Sequence, residues 1–123
     1  MDKEIWVDFS EWADESYKEL QKKVLEEREK EIENSLNTQL LKAINREIQN
    51  LKIDPQRGTH ISRKNMSKAV IERYGTDRLW KIDLVGYWRL IYTITGDDVK
   101  VIAFILEFFD HKEYDKVFGY KKK

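Results

Sequence analysis

Cysteine is absent from the chain, which removes disulfides, thiolate metal sites and a cysteine nucleophile together. Proline occurs once, at Pro55, and glycine five times, so helices and strands meet few built-in breaks. No long hydrophobic run is present. The longest apolar stretch, Val99 to Phe109, is interrupted by Lys100 and Glu107 and falls well short of the roughly 20 residues a helical membrane span needs. The opening MDKEIWVDFS carries acids where a secretory leader would carry bases followed by an apolar block. These absences predict a cytoplasmic protein with no membrane partner.

Net charge is also missing, but only as a sum. Residues 1–54 hold 9 Lys and Arg against 14 Asp and Glu, and residues 55–123 hold 14 against 9. Acids are wholly lacking from Pro55 to Ile71, where Arg57, His60, Arg63, Lys64 and Lys68 stand. A basic half of this kind suits a polyanionic partner. The composition, 41% hydrophobic and 12% aromatic, supplies a core for one domain over residues 1–123.

Ile5 to Phe9 reads as a short strand, and Ser10 as the N-cap of a helix running from Glu11 to about Glu33. Its apolar stripe is Leu20, Val24, Ile32 and Leu36. Asn34, Ser35, Asn37 and Thr38 break the pattern. Leu40, Leu41, Ala43, Ile44, Ile48 and Leu51 then follow the spacing of a second helix, which Pro55 ends. A helical turn is predicted at Lys68 to Tyr74, stopped by Gly75. Three strand-like runs follow: Leu79 to Leu84, Tyr87 to Thr95, and Val99 to Phe109, with a hairpin signal at Thr95 to Asp98. The order β-α-α-β-β-β gives an α+β domain: an antiparallel sheet with the N-terminal helix pair packed on one face.

One residue of these strands is out of keeping. GYWRLIYTI, Gly86 to Ile94, is aromatic and β-branched except for Arg89, whose charge is permanent. Alternation puts Trp88, Leu90, Tyr92 and Ile94 on the core face and Arg89 on the other. Trp80, Ile82 and Leu84 are core in the preceding strand, so Lys81 and Asp83 join Arg89 on a face predicted to be free of helices. A two-residue turn at Val85-Gly86 would instead set Ile82 against Arg89. A three-residue connection or a bulge at Gly86 restores the shared face. Arg89 then reads either as an ion-pair partner of Asp83 or as part of a cationic patch with Lys81.

LWKIDLVGYWRLIYTI, the variable GDDVKVIAFIL, and FFDHKEYDKVFGY together resemble the RelE/ParE superfamily of toxins from type II toxin–antitoxin modules, over Leu51 to Tyr120. The resemblance implies a RelE-like fold and, in its RelE branch, a ribosome-dependent endonuclease that cuts messenger RNA by turning the 2′-OH on the adjacent phosphate, without metal or other cofactor. Such a reaction needs a base, a proton donor for the 5′-oxygen, and cations for the charge building on phosphorus. The matching positions are Arg89 for the strand arginine, Lys81 for the first lysine of the strand before it, and Lys112 for a late arginine. Asp83 stands where the family has a second lysine, and Phe118 where it has a late tyrosine. His111, Tyr114 and Tyr120 are the nearby candidates to substitute in proton transfer, and histidine has an ordinary pKa suited to it. Arg57, Arg63, Lys64 and Lys68 are expected to grip RNA phosphates, with Phe118 and Tyr120 against bases. The implied partners are a cognate antitoxin, the ribosome and messenger RNA. Two other readings stay open: a superfamily member without cleavage, acting as an interaction domain, and a ParE-like inhibitor of DNA gyrase.

Overall fold

The computed structural model describes residues 3–119. Each helix starts at a residue whose side-chain oxygen takes a free backbone N–H of the first turn, and these caps fix the element boundaries. Ser10 caps α1 (Glu11–Glu29), Ser35 caps α2 (Leu36–Ile53), Ser67 caps α3 (Lys68–Tyr74) and Asp110 caps α4 (His111–Phe118). α1 stops four residues before the predicted Glu33, because Glu31 and Asn34 adopt positive φ and reverse the chain into α2. Ala13, Leu20 and Val24 of α1, with Leu40, Ile44 and Leu51 of α2, form the buried stripes of the helix pair. Ile32 and Leu36, expected in that stripe, fall at the reversal and are exposed.

The strands are β1 (Glu4–Phe9), β2 (Thr59–His60), β3 (Trp80–Asp83), β4 (Trp88–Gly96) and β5 (Lys100–Asp110), in the sheet order β1-β5-β4-β3-β2. The α+β class and the predicted order of elements hold. The sheet, however, is mixed: β1 runs parallel to β5, with Glu4 opposite Lys100 and Phe9 opposite Ile105. The helix pair between β1 and the rest of the sheet carries the chain across, which is what a parallel neighbour requires. One face of the sheet packs on α1 and α2 through Ile82, Leu90, Tyr92, Ala103, Ile105 and Phe108.

The other face is not free of helices, as alternation alone suggested. Ile91, Leu106 and Phe109 of the sheet join Ile61, Val70 of α3, and Tyr114 and Phe118 of α4 in a second core. A β-bulge in β5 shapes this face. Ile91 pairs with Glu107 but Tyr92 pairs with Ile105, so Leu106 is the extra residue. The bulge turns both Leu106 and Glu107 to the second face, where α3 and α4 cover the apolar surface.

Glu107 is therefore a buried carboxylate, 8% exposed. Arg73 of α3 meets it with Nη2 at 2.8 and 2.9 Å from its two oxygens, and Nε at 3.1 Å. The Tyr74 hydroxyl donates to it at 3.0 Å. Burial first, and the Glu107 charge second, push the Tyr74 phenol above its ordinary value, which keeps that donor protonated. Trp12 of α1 covers the Arg73 guanidinium at 4.7 Å. Removing the cation strands a buried charge. Arg73→Met is expected to cost about 3 kcal/mol of folding stability, read by urea denaturation. Glu107→Gln, which keeps the shape and loses the charge, should cost less than Arg73→Met. An Arg73→Met midpoint equal to the unmutated protein's would show that the ion pair does not hold α3 down.

Candidate functional site

Arg89 and Lys81 reach one face by the register that the sequence required. Val85–Tyr87 is a three-residue connection: Leu84 N donates to Trp88 O at 2.7 Å, and Asp83 lies opposite Arg89, Ile82 opposite Leu90. Gly86 and Tyr87 take φ of 70° and 61° there, and a Cβ on Gly86 would come within 2.7 Å of Leu36. The turn thus favours glycine for its dihedral, while the Leu36 side chain, exposed at the start of α2, can turn aside.

Arg89 does not stand free in solvent. Its side chain is 23% exposed, its Cζ lies 4.3 Å from the centre of the Tyr114 ring, and its Nε donates to Asp83 Oδ1 at 3.0 Å. Lys81 Nζ lies 5.5 Å from the same ring. Tyr114 is fully buried, stacked on Phe118 at 4.5 Å and edge-on to Phe109 at 5.8 Å. One enclosed aromatic ring therefore carries two cations at the end of the sheet. Among the described residues, no carboxylate lies within ion-pair distance of Lys81.

A cleft of about 220 Å³ opens beside Lys81, lined also by Glu47, Arg57, Gly58, Thr59 and Asp83. Arg57 is set there by two contacts. Its Nε donates to Glu47 Oε1 of α2 at 2.7 Å. Its loop is pinned by the Tyr92 hydroxyl, which donates to Pro55 O at 2.8 Å and accepts from Gly58 N at 3.0 Å. Burial raises the Tyr92 phenol above its ordinary value, so it remains a donor. Sequence reasoning missed both Glu47 and Tyr92. Tyr92 stood there only as a residue of the core face.

His111 opens α4, one residue beyond the Asp110 that pairs with Trp88. Its Nε2 lies 3.1 Å from Asp115 Oδ2, and the exposed Tyr87 ring lies 6.5 Å away. Lys112 follows it, exposed on the same helix. The tail is thus helical, and its amphipathic turn decides the fate of two expected RNA contacts. Phe118 is 4% exposed and its face is taken by Tyr114, so it does not offer a ring to a base. Tyr120 lies outside the described residues. Arg63, Lys64 and Lys68 stand exposed on the segment that enters α3, and Arg63 holds Asp77 at 3.0 Å.

The arrangement can bind an anion. Two cations, a third at the cleft wall and an exposed histidine nearby suit a phosphodiester. Asp83 competes for that place on Arg89, and Tyr114 is enclosed, so it serves as a support for the cations.

Neither a family model nor a curated protein matches the sequence. Among solved structures, the chain is similar to a YoeB/ParE toxin from Agrobacterium tumefaciens, at a TM-score of 0.52 and 14% identity, over 86% of this chain and 98% of that one. The fold is that of the RelE/ParE toxins. No helix among the described residues is long and apolar enough to cross a membrane.

Two substitutions test this geometry. Arg89→Ala removes a packed guanidinium as well as a charge, and is expected to lower stability by about 1–2 kcal/mol; a urea midpoint equal to the unmutated protein's would mean that the ring contact contributes nothing. Gly58→Ala places a Cβ 2.7 Å from the Tyr92 hydroxyl and 2.8 Å from Lys81 O. That crowding should cost about 1–3 kcal/mol, and a thermal melt unchanged by the added methyl would show that the loop yields freely.

Proposed function

We propose that this chain is a RelE-like toxin, a ribosome-dependent endonuclease of messenger RNA that halts translation and is neutralised by a cognate antitoxin. The observation that carries the reading is the placement of Arg89 and Lys81 on the single Tyr114 ring, at the end of a sheet of the RelE/ParE type. Arg89 and Lys81 take the non-bridging oxygens of the scissile phosphate, with Asp83 displaced from the guanidinium. The 2′-oxygen attacks phosphorus as its proton passes to solvent water, the bond to the 5′-oxygen breaks, and His111 supplies a proton to that leaving oxygen. Lys112, exposed beside His111, adds positive charge at the same edge. Tyr114 holds the cations rather than moving a proton. Arg57 borders the substrate at the cleft, and Arg63, Lys64 and Lys68 meet ribosomal RNA through phosphates. The antitoxin presents acidic residues to this basic surface.

One observation favours a second reading. Asp83 closes on Arg89 at 3.0 Å, so the phosphate place is already filled by a carboxylate. In an interaction domain without cleavage, that ion pair would simply finish the surface.

In vitro translation with transcript cleavage read by primer extension separates the two. Arg89→Ala and Lys81→Ala should each slow cleavage about a hundredfold or more. His111→Ala should slow it at least about a hundredfold. Asp83→Asn should leave cleavage intact or raise it, because the guanidinium is freed. Transcripts left whole by the unmutated protein on active ribosomes would end the endonuclease reading in favour of the interaction domain. Co-expression with a small open reading frame adjacent to this one should give a stable complex; a chain recovered alone and harmless to its host would count against the antitoxin.

A further inference from the structure

We infer that the groove at the β2 end of the sheet is a second nucleic-acid site, which holds one nucleotide of a single strand by its phosphate and its base. The groove has a volume of about 500 Å³, and its walls include His60, Arg63, Asp77, Arg78, Trp80 and Ile94. It lies on the edge formed by β2 and β3, at the opposite end of β3 from Asp83 and Arg89.

Two features make it a site rather than a dent. The first is a row of rings. His60 pairs with Trp80 across the edge, and their rings meet edge to face at 5.2 Å. Trp80 in turn stacks on the buried Tyr92 at 6.1 Å. The row is therefore fixed from within, while its outer member, His60, is exposed. A base added to that row needs no rearrangement of the protein.

The second feature is a positioned, uncommitted cation. The backbone of Arg78 is tied on both sides: its N donates to Thr76 Oγ1 at 3.0 Å, and its O accepts from Thr93 Oγ1 at 2.6 Å. Among the described residues, no carboxylate lies within ion-pair distance of its guanidinium. Arg63 on the opposite wall is held by Asp77 at 3.0 Å. Asp77 thus spends its charge on Arg63 and leaves Arg78 to an incoming anion. Basic residues interleaved with rings along a groove suit a single strand, because every base has a face to stack and every link a charge to pair.

The proposal deepens the endonuclease reading by adding an RNA contact remote from the cleavage residues. The experiment is kept apart from cleavage: fluorescence anisotropy of a labelled single-stranded oligoribonucleotide, without ribosomes, over a range of salt. Arg78→Ala should weaken binding at every sequence and lower the salt slope by about 0.7. His60→Ala should weaken binding about tenfold and leave the slope unchanged. Lys22→Ala, on the exposed side of α1, should bind as the unmutated chain does. Arg78→Glu serves as a second variant, and thermal melts check each fold. Should Arg78→Ala and His60→Ala both bind as the unmutated chain, or should the unmutated chain not bind the oligonucleotide, the site is lost. Displacement of the RNA by polyglutamate, with His60→Ala unaffected, would assign the groove to an acidic protein and overturn the proposal. Absence of ribosomal cleavage by the unmutated chain, with oligonucleotide binding present, would end the endonuclease reading and leave the groove standing.

Discussion

The second layer of this fold hangs on the carboxylate of Glu107. A charge that sits in a strand and faces a covering helix must be met there, because burial strips most of its water. Arg73 and Tyr74 meet it, and both belong to α3, so the same contact that satisfies the charge also clamps α3 to the sheet. With α3 in place, Val70 closes one side of the second core, and Tyr114 and Phe118 of α4 close the other. The Tyr114 ring that results is the support on which Arg89 and Lys81 lie. A bulge of one residue in β5 is therefore linked, through an ion pair and two short helices, to the placement of the cations at the end of the sheet.

That support alters what the two cations can do. A guanidinium in open water pays rotamer entropy for each contact, whereas Arg89 is held between an aromatic face and Asp83 before any ligand arrives. The contact with Asp83 has the opposite effect on affinity, since an anion must replace a carboxylate already in position. The carboxylate is the more exposed partner, 73% against 23% for the arginine side chain. It can swing into water at little cost, and Arg89 can keep its ring contact while it does so. Lys81 has no such competitor, so the two cations differ in readiness although they share one ring.

Much of this was legible in the chain. Ser10, Pro55 and Gly75 mark element ends because each acts locally, and the alternation of Trp80–Leu84 and Trp88–Ile94 gives the faces because period two is a property of a strand by itself. Even the length of the Val85–Tyr87 connection followed from the demand that Arg89 avoid Ile82. What was not legible depends on contacts between distant residues. Glu107 stood out as an acid in an apolar run, but nothing in the sequence says that Arg73 will reach it. Bulges also leave little local trace, so the side to which Leu106 turns could not be read from alternation. The helical form of the tail went unread for a related reason. Tyr114 and Phe118, four apart, are a helical pair only if there is a surface for them to cover, and that surface is made by β5, β4 and α3 together.

The parallel pairing of β1 with β5 has a bearing on how the molecule comes into being. Glu4 finds Lys100 and Phe9 finds Ile105, 96 residues further along the chain, so β1 cannot be paired until β5 has been made. Closing so large a loop costs chain entropy before it returns any contact, and topologies of this kind assemble slowly. The helix pair can form early from its own local caps, but it has no sheet to lie on until β5 is available. Arg89 cannot be seated earlier either, because α4 follows β5 directly and brings the ring beneath it. Seating of Arg89 is thereby deferred until α4 has been made, and a nascent chain that stops before α4 lacks the Tyr114 support altogether.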